Sequence, residues 1–368
     1  MIISFVDLAL LLFFSAASLF VLRKVARRID LVDKPDKRKH HAGAVPLVGG
    51  LAMCLSLVYF LLNNPEVIPH SGLYATCILI LVTIGVLDDK FDIDFKLRFA
   101  IQAALAIAMM VLGGIELNRL GNIFATGDVR LDTLGYVLTV MAVIGAINAF
   151  NMVDGIDGLL GGLATVTFVS LGILLYLNGH TSLAYLCLVL TVIMAPYLMF
   201  NLGLLGRERK VFMGDAGSML IGFTVIWFLL LASQHPTSAA IRPVTGLWLI
   251  ALPLMDMTAI MFRRIKRGDS PFKPDREHLH HIFQRVGLSS RQTLSAICLL
   301  ATLLACIGII GELLKVHETI MFVGFLACFV LYCLMLRHVW RVTCYIREKL
   351  GKGELETAED PRILGPRS

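Results

Sequence analysis

The chain reads as a series of long apolar runs separated by short polar loops. A helix that crosses a bilayer needs about 20 mainly apolar residues. Runs of this kind fall at roughly 5–22, 47–62, 73–87, 99–113, 134–150, 159–177, 183–200, 217–232, 244–261, 293–311 and 319–336. They predict an all-α integral membrane protein of about eleven transmembrane helices, one polytopic domain over 1–350. A polar tail rich in Gly, Glu and Pro, 351–368, reads as a disordered cytoplasmic end. The first run has no basic segment before it and no small-residue cleavage site before Arg23, so it reads as a retained helix.

Composition agrees with the pattern. Hydrophobic residues make up 57% of the chain and charged ones 16%, against about 25% charged in soluble domains. A soluble enzyme is excluded. The eight cysteines form no CxxC pair and all but Cys344 lie in apolar runs, where cysteine packs as a small hydrophobe. Neither structural zinc nor a disulfide scaffold is expected.

Charge then orients the spans. With the N-terminus outside, the inner segments are 23–46, 88–98, 150–158, 201–216, 262–292 and 337–368, and they hold 29 of the 33 Lys and Arg residues. The other four are Arg119, Arg130, Arg242 and Lys315. Cytoplasmic loops collect Lys and Arg, so the N-terminus is expected in the periplasm and the C-terminus in the cytoplasm. The same charge attracts anionic membrane lipids, as does the basic run from Lys34 to His41. No basic module interleaved with aromatics is present, so nucleic acid is not an expected partner.

That orientation, fixed by Lys and Arg alone, places four chemistry-bearing elements on the cytoplasmic face. The first is Asp88-Asp89, where adjacent carboxylates at a helix C-terminus repel each other and oppose the helix dipole unless a cation or a basic role relieves them. The second is Asn148-x-x-Asn151-x-x-Asp154-x-x-Asp157, polar residues at every third position, which predict a drifting stripe on one helical face. Its loop contains no Lys or Arg, so the carboxylates have no local partner. The third is Gly214-Asp215-Ala-Gly-Ser218 before an apolar helix, where small residues predict a backbone cradle for anions and Asp215 a cation ligand. The fourth is the loop carrying Lys273, Arg276, His278, His280 and His281. No zinc partner stands out for these histidines, so contact with a phosphorylated ligand is the expected role. Asp256, inside a run and close behind Pro253, reads either as a functional intramembrane acid or as an acceptor for backbone donors that the proline frees.

Carboxylates, amides and an anion cradle at one membrane face are the parts of Mg²⁺-assisted phosphoryl transfer between a lipid phosphate and a cytoplasmic nucleotide. A multispan transporter is the alternative from another class, but its acids would sit at the midplane between internal repeats, and no repeat is visible.

The motifs Asp88-Asp89, Asn148-x-x-Asn151-x-x-Asp154-Gly-x-Asp157-Gly-Leu, Gly214-Asp215-x-Gly-Ser218 and His278-x-His280-His281 resemble those of the polyprenyl-phosphate N-acetylhexosamine-1-phosphate transferases, from about Arg23 to about Trp340. The histidine loop differs from the His-His-His-x-Glu run of the peptidoglycan branch and is most similar to the enterobacterial type that starts O-antigen and enterobacterial common antigen assembly. The resemblance implies a bacterial inner-membrane enzyme that converts UDP-GlcNAc and undecaprenyl phosphate to GlcNAc-diphospho-undecaprenol and UMP. It implies Mg²⁺, with Mn²⁺ as the alternative, on Asp215 and Asn151. Asp88, supported by Asp89, would deprotonate or orient the attacking lipid phosphate. Asn148, Asp154, Asp157, Arg276, His278, His280 and His281 would bind the nucleotide and sugar. A single displacement and an aspartyl-phosphate route both fit these residues. Another UDP-N-acetylhexosamine, another prenyl phosphate and a homo-oligomer stay open.

Overall fold

The computed structural model describes residues 5–34, 43–235, 239–271 and 278–337. Every one of the eleven apolar runs is helical: α1 (Phe5–Arg28), α2 (Gly49–Asn63), α3 (Ser71–Phe91), α4 (Phe95–Gly113), α5 (Thr133–Met152), α6 (Leu159–Leu177), α7 (Thr181–Asn201), α8 (Gly214–Ser233), the pair α9 (Pro243–Leu249) and α10 (Ala251–Lys266), α12 (Ser290–Leu313) and α13 (Glu318–Arg337). A short helix, α11 (Leu279–Arg285), carries the histidines. Among the described residues two small antiparallel ribbons, Val32–Asp33 with Val45–Pro46 and Arg119–Gly121 with Val129–Arg130, interrupt the helical pattern. Among the described residues nine helices are long and apolar enough to cross a membrane, or ten if the bent pair is one span. The chain is thus a multi-pass membrane protein.

The two departures from eleven uniform spans have local causes. The run over 244–261 breaks at Ile250, and α9 and α10 meet at 81°. Pro253 cannot donate to the carbonyl four residues back and its ring crowds that carbonyl, which belongs to Leu249, the last residue of α9. Thr167 Oγ1 of α6 donates to the freed Leu249 oxygen at 3.3 Å. Helix α2 is only 15 residues long, about 22 Å at 1.5 Å per residue against a hydrocarbon core of about 30 Å. The described cysteines are all free. Cys344 and the tail lie outside the described residues.

Helix α8 is the axis of the bundle, 94% of its apolar window being buried. Helices pack tightly in a membrane where small residues let backbones approach. Gly50 of α2 lies against the Gly217 backbone, Gly85 of α3 against Ala216, and Gly222 of α8 against Ile147 of α5. The Tyr74 and Thr224 hydroxyls, 2.7 Å apart, tie α3 to α8 deeper in the bundle. The segment leading into α2 is stitched to the segment leading into α8, with Phe212 N donating to Pro46 O at 2.9 Å and Gly49 N to Phe212 O at 2.9 Å. Three helix ends from distant parts of the sequence are therefore brought to the first turn of α8.

Substitution of Gly85 by Ala tests this packing. A methyl there would run into the Ala216 backbone, which cannot swing aside, whereas one at Gly72, on the same helix, meets nothing within 4 Å. Gly85→Ala is expected to destabilise by at least about 1–3 kcal/mol, the usual cost of overpacking, and Gly72→Ala to be near neutral. Thermal unfolding of the two purified variants compares them, and equal midpoints would refute the backbone contact.

Candidate active site

The ends of α3, α5 and α8 build one polar cluster. Helix α3 ends at Phe91 with Asp92 in the left-handed region at φ 51°, and Asp94 then caps α4 by accepting from Lys96 N at 2.9 Å. That tight reversal returns Arg98 of α4 to the end of α3. Asp88, 6% exposed, accepts from Ile93 N at 2.8 Å through Oδ1 and from Arg98 through Oδ2. Arg98 also lies 3.5 Å from the Asp215 carboxylate. Asn151, in the last turn of α5, donates through Nδ2 to Asp215 Oδ1 at 2.6 Å and to Ser218 Oγ at 2.8 Å. Among the described residues its side-chain oxygen, Oδ1, has no donor.

Asp89 points the other way. Its Oδ1 accepts from Asp215 N at 2.9 Å and its Oδ2 from Ala216 N at 3.5 Å, so a carboxylate of α3 caps the positive end of α8. Gly214 has φ +72° and a side chain there would strike the Asp89 carboxylate. The expected open cradle for anions at Gly214–Ser218 is thus corrected: the Asp215 and Ala216 amides are taken by Asp89, and the glycines serve packing against Asp89, Gly50 and Met213.

The expected polar stripe is also corrected. Helix α5 stops at Met152, so Asp154 and Asp157 lie in the turn beyond it rather than on its face. Asn148 spends its amide on Ile144 O of its own helix at 2.7 Å, outside the cluster of Asn151, Asp215 and Ser218. Asp154 is solvent-exposed at this turn, and the surrounding protein, followed by the charges of Asp215 and Asp157, raises its carboxyl above the usual carboxylate range. Asp157 pairs with Lys210 at 2.6 Å. Asn201, buried at the end of α7, accepts from Gly158 N at 2.5 Å and donates to Val211 O at 2.9 Å, fixing this turn to the strand of chain that enters α8.

The histidine loop closes the other side. His280 is buried against Gly155, where a Cβ would collide with its ring. Burial, followed by the neighbouring His281 and His278, pushes its pKa down to about 3. It is therefore neutral at physiological pH and acts as a neutral ring, not as an imidazolium. Among the described residues its buried Nε2 has no partner. The rings of His280 and His281 lie 4.2 Å apart. Arg276 and Lys273 lie outside the described residues, as does the basic run over 35–42.

Asp88, Asp89, Asn151 and Asp215 are brought together; Asp154, Asp157 and His280 lie beside them on adjoining turns. Arg98, Lys210 and Asn201 were not among the expected site residues. Arg98 and Lys210 read as ordinary basic residues of inner segments, and only their contacts with Asp88, Asp215 and Asp157 identify them. Asp88 and Asp215 flank the same Arg98 guanidinium, an excess of negative charge that Arg98 offsets in part. Among the described residues no group of three or more His, Cys, Asp or Glu side chains is set to hold a metal by itself. The Asp215 carboxylate and the side-chain amide oxygen of Asn151 nevertheless suit Mg²⁺, which takes one or two protein carboxylates and completes its shell with water and substrate phosphate.

Comparison with known proteins follows the same stretch. The model of glycosyl transferase family 4 matches residues 72–233, which contain Asp88, Asn151, Asp154, Asp157 and Asp215. The chain is 52% identical over 345 residues to an undecaprenyl-phosphate alpha-N-acetylglucosaminyl 1-phosphate transferase of Yersinia pestis, covering 93% of each chain. It is 51% identical over 342 residues to the protein of that name from Escherichia coli K12, again covering 93% of each. To the one from Haemophilus influenzae it is 49% identical over 336 residues, 90% of this chain and 93% of the relative.

Proposed function

The chain belongs to the polyprenyl-phosphate N-acetylhexosamine-1-phosphate transferases of glycosyl transferase family 4, and we propose that it transfers GlcNAc-1-phosphate from UDP-GlcNAc to undecaprenyl phosphate. The products are GlcNAc-diphospho-undecaprenol and UMP. The observation that carries this reading is the convergence of Asp88, Asp215 and Asn151 at the first turn of α8, in a chain alike over nine-tenths of its length to transferases of that name. The step is proposed as the first membrane reaction of O-antigen and enterobacterial common antigen assembly, in the bacterial inner membrane.

Two observations support a cytoplasmic site and a periplasmic N-terminus. Helices α3 and α5 end at the acid cluster and α8 begins there, so the cluster lies at the end of the bundle whose adjoining segments, 88–98 and 201–216, carry Lys and Arg. Arg119, Arg130 and Arg242, of the four basic residues outside the inner segments, lie away from the acid cluster, on the ribbon and at the start of α9 that packs beside it. There Arg119 and Arg130 face each other across a ribbon and Arg242 pairs with Glu312 at 3.2 Å.

The transfer makes a bond between a lipid-phosphate oxygen and the β-phosphorus and breaks the bridge to the α-phosphate, whose oxygen leaves with UMP. Asp215 and the Asn151 carbonyl oxygen would hold Mg²⁺, or Mn²⁺ in its place. When bound, the ion supplies charge neutralisation to the diphosphate and to the departing UMP. Arg98, held between Asp88 and Asp215, presents a second positive charge where the two phosphates must meet. Asp88 orients the lipid phosphate. Both its oxygens are already engaged, by Ile93 N and Arg98, which favours a single displacement over an aspartyl phosphate. Asp154 and Asp157, with the histidine loop against Gly155, hold the nucleotide and sugar.

Purified protein supplied with both substrates is expected to release UMP with Mg²⁺ and none with EDTA. Release of UDP would mean transfer of the sugar alone and would overturn the reading.

A further inference from the structure

Asp256 is a carboxylate inside the bundle that the proposed reaction does not use. It lies in α10, 2% exposed, and a buried acid at that depth is costly unless its oxygens are fully hydrogen-bonded. Among the described residues its hydrogen bonds all come from outside its own helix. Asp256 Oδ2 meets His278 Nδ1 at 2.8 Å, and Oδ1 accepts from Leu279 N at 3.2 Å and from the Tyr332 hydroxyl of α13. It therefore does not serve backbone donors freed by Pro253. It reaches to the start of the histidine loop instead.

Two consequences follow for that loop. A carboxylate accepts only, so His278 donates from Nδ1, and Nε2 is the nitrogen left for a ligand. The Leu279 bond also anchors the first turn of α11, and one turn holds His280 on Gly155, between Asp154 and Asp157. Asp256, Leu279 and His280 line one small cavity with Val153 and Leu159, which flank that turn. The parallel rings of His278 and His280, 5.8 Å between centroids, complete the connection.

We propose that Asp256 and Tyr332 are positioning residues that fix His278 with its proton on Nδ1 and moor the histidine loop against the Asp154–Asp157 turn, and so order the site for the sugar nucleotide. This rests on the transferase reading. It adds a specific duty for α13, whose Tyr332 would otherwise be one more buried aromatic.

The test has two arms. Hydrogen exchange by mass spectrometry reads the peptide spanning 278–285 in wild-type protein, Asp256→Asn and Tyr332→Phe, and faster exchange in both variants is expected. Unchanged exchange overturns the mooring whatever reaction the protein performs. The kinetic arm measures UMP release at varied UDP-GlcNAc and varied undecaprenyl phosphate. Asp256→Asn is expected to lower kcat/KM for UDP-GlcNAc by about 10–100-fold, as loss of a partner that orients a functional histidine does, with the KM for lipid phosphate unchanged. In a His278→Ala background the same substitution is expected to cost less than about threefold, since residues acting through one another are not additive. Multiplying losses, or equal damage to both substrates, overturn the positioning role. Tyr332→Phe carries the same cycle if Asp256→Asn does not fold. Accelerated exchange in the variants of a protein that releases no UMP would count against the transferase reading and not against the mooring.

Discussion

Asp215→Asn is expected to reduce transfer by about 10²–10³-fold, the range found when one preorganised electrostatic partner of a reacting centre is removed. The substitution keeps the backbone amide that Asp89 caps and the contact with Asn151, so α8 should stay in place. What it removes is the charge that would bind the divalent cation. Turnover measured across a Mg²⁺ titration separates the causes: a variant with a metal defect needs far more Mg²⁺ or never recovers. Near-normal turnover at limiting Mg²⁺ would show that Asp215 is not the ligand.

The second large effect is expected at Asp88. Asn there still accepts from Ile93 N, but it strands Arg98 without the carboxylate that positions it. Transfer should fall by about 10²-fold or more, while UDP-GlcNAc binding, proposed at the turn of Asp154 and Asp157, should change little. Calorimetric titration with UDP-GlcNAc beside an assay of turnover makes the distinction. Equal losses in both would make Asp88 part of the donor site and would leave the attacking phosphate without its orienting group. Asp89→Asn is a different case, because that carboxylate caps α8 and its loss acts on the position of Asp215.

What could be read from the chain before folding was whatever is local. Each apolar run became a helix because twenty apolar residues have few alternatives in a bilayer, where backbone polar groups must be satisfied within the segment. The acidic motifs were legible because adjacent carboxylates at a helix C-terminus, as at Asp88-Asp89, and a loop of carboxylates without Lys or Arg, as at 150–158, are hard to explain as ordinary helix ends. Partners distant in sequence were not legible. Lys210 reaches Asp157 across 53 positions and Asn151 reaches Asp215 across 64, and no periodicity encodes such a pairing. Gly214 and Gly217 illustrate the opposite error. Small residues before a helix suit an anion cradle and close helix packing equally well, and only the Asp89 carboxylate on the α8 amides decides between them. Asp256 was ambiguous for the same reason, since His278 and Tyr332 lie 22 and 76 positions away.

The central claim is that a phosphate moves with the sugar, and that it does so at Asp215. UDP-GlcNAc labelled with ³²P in the β-phosphate follows that atom directly. With undecaprenyl phosphate and Mg²⁺, wild-type protein should carry the label into the organic-extractable lipid, and Asp215→Asn should leave it in the aqueous nucleotide. Label that stays with UDP while GlcNAc enters the lipid would contradict the account, as would a variant that transfers it as fast as wild type.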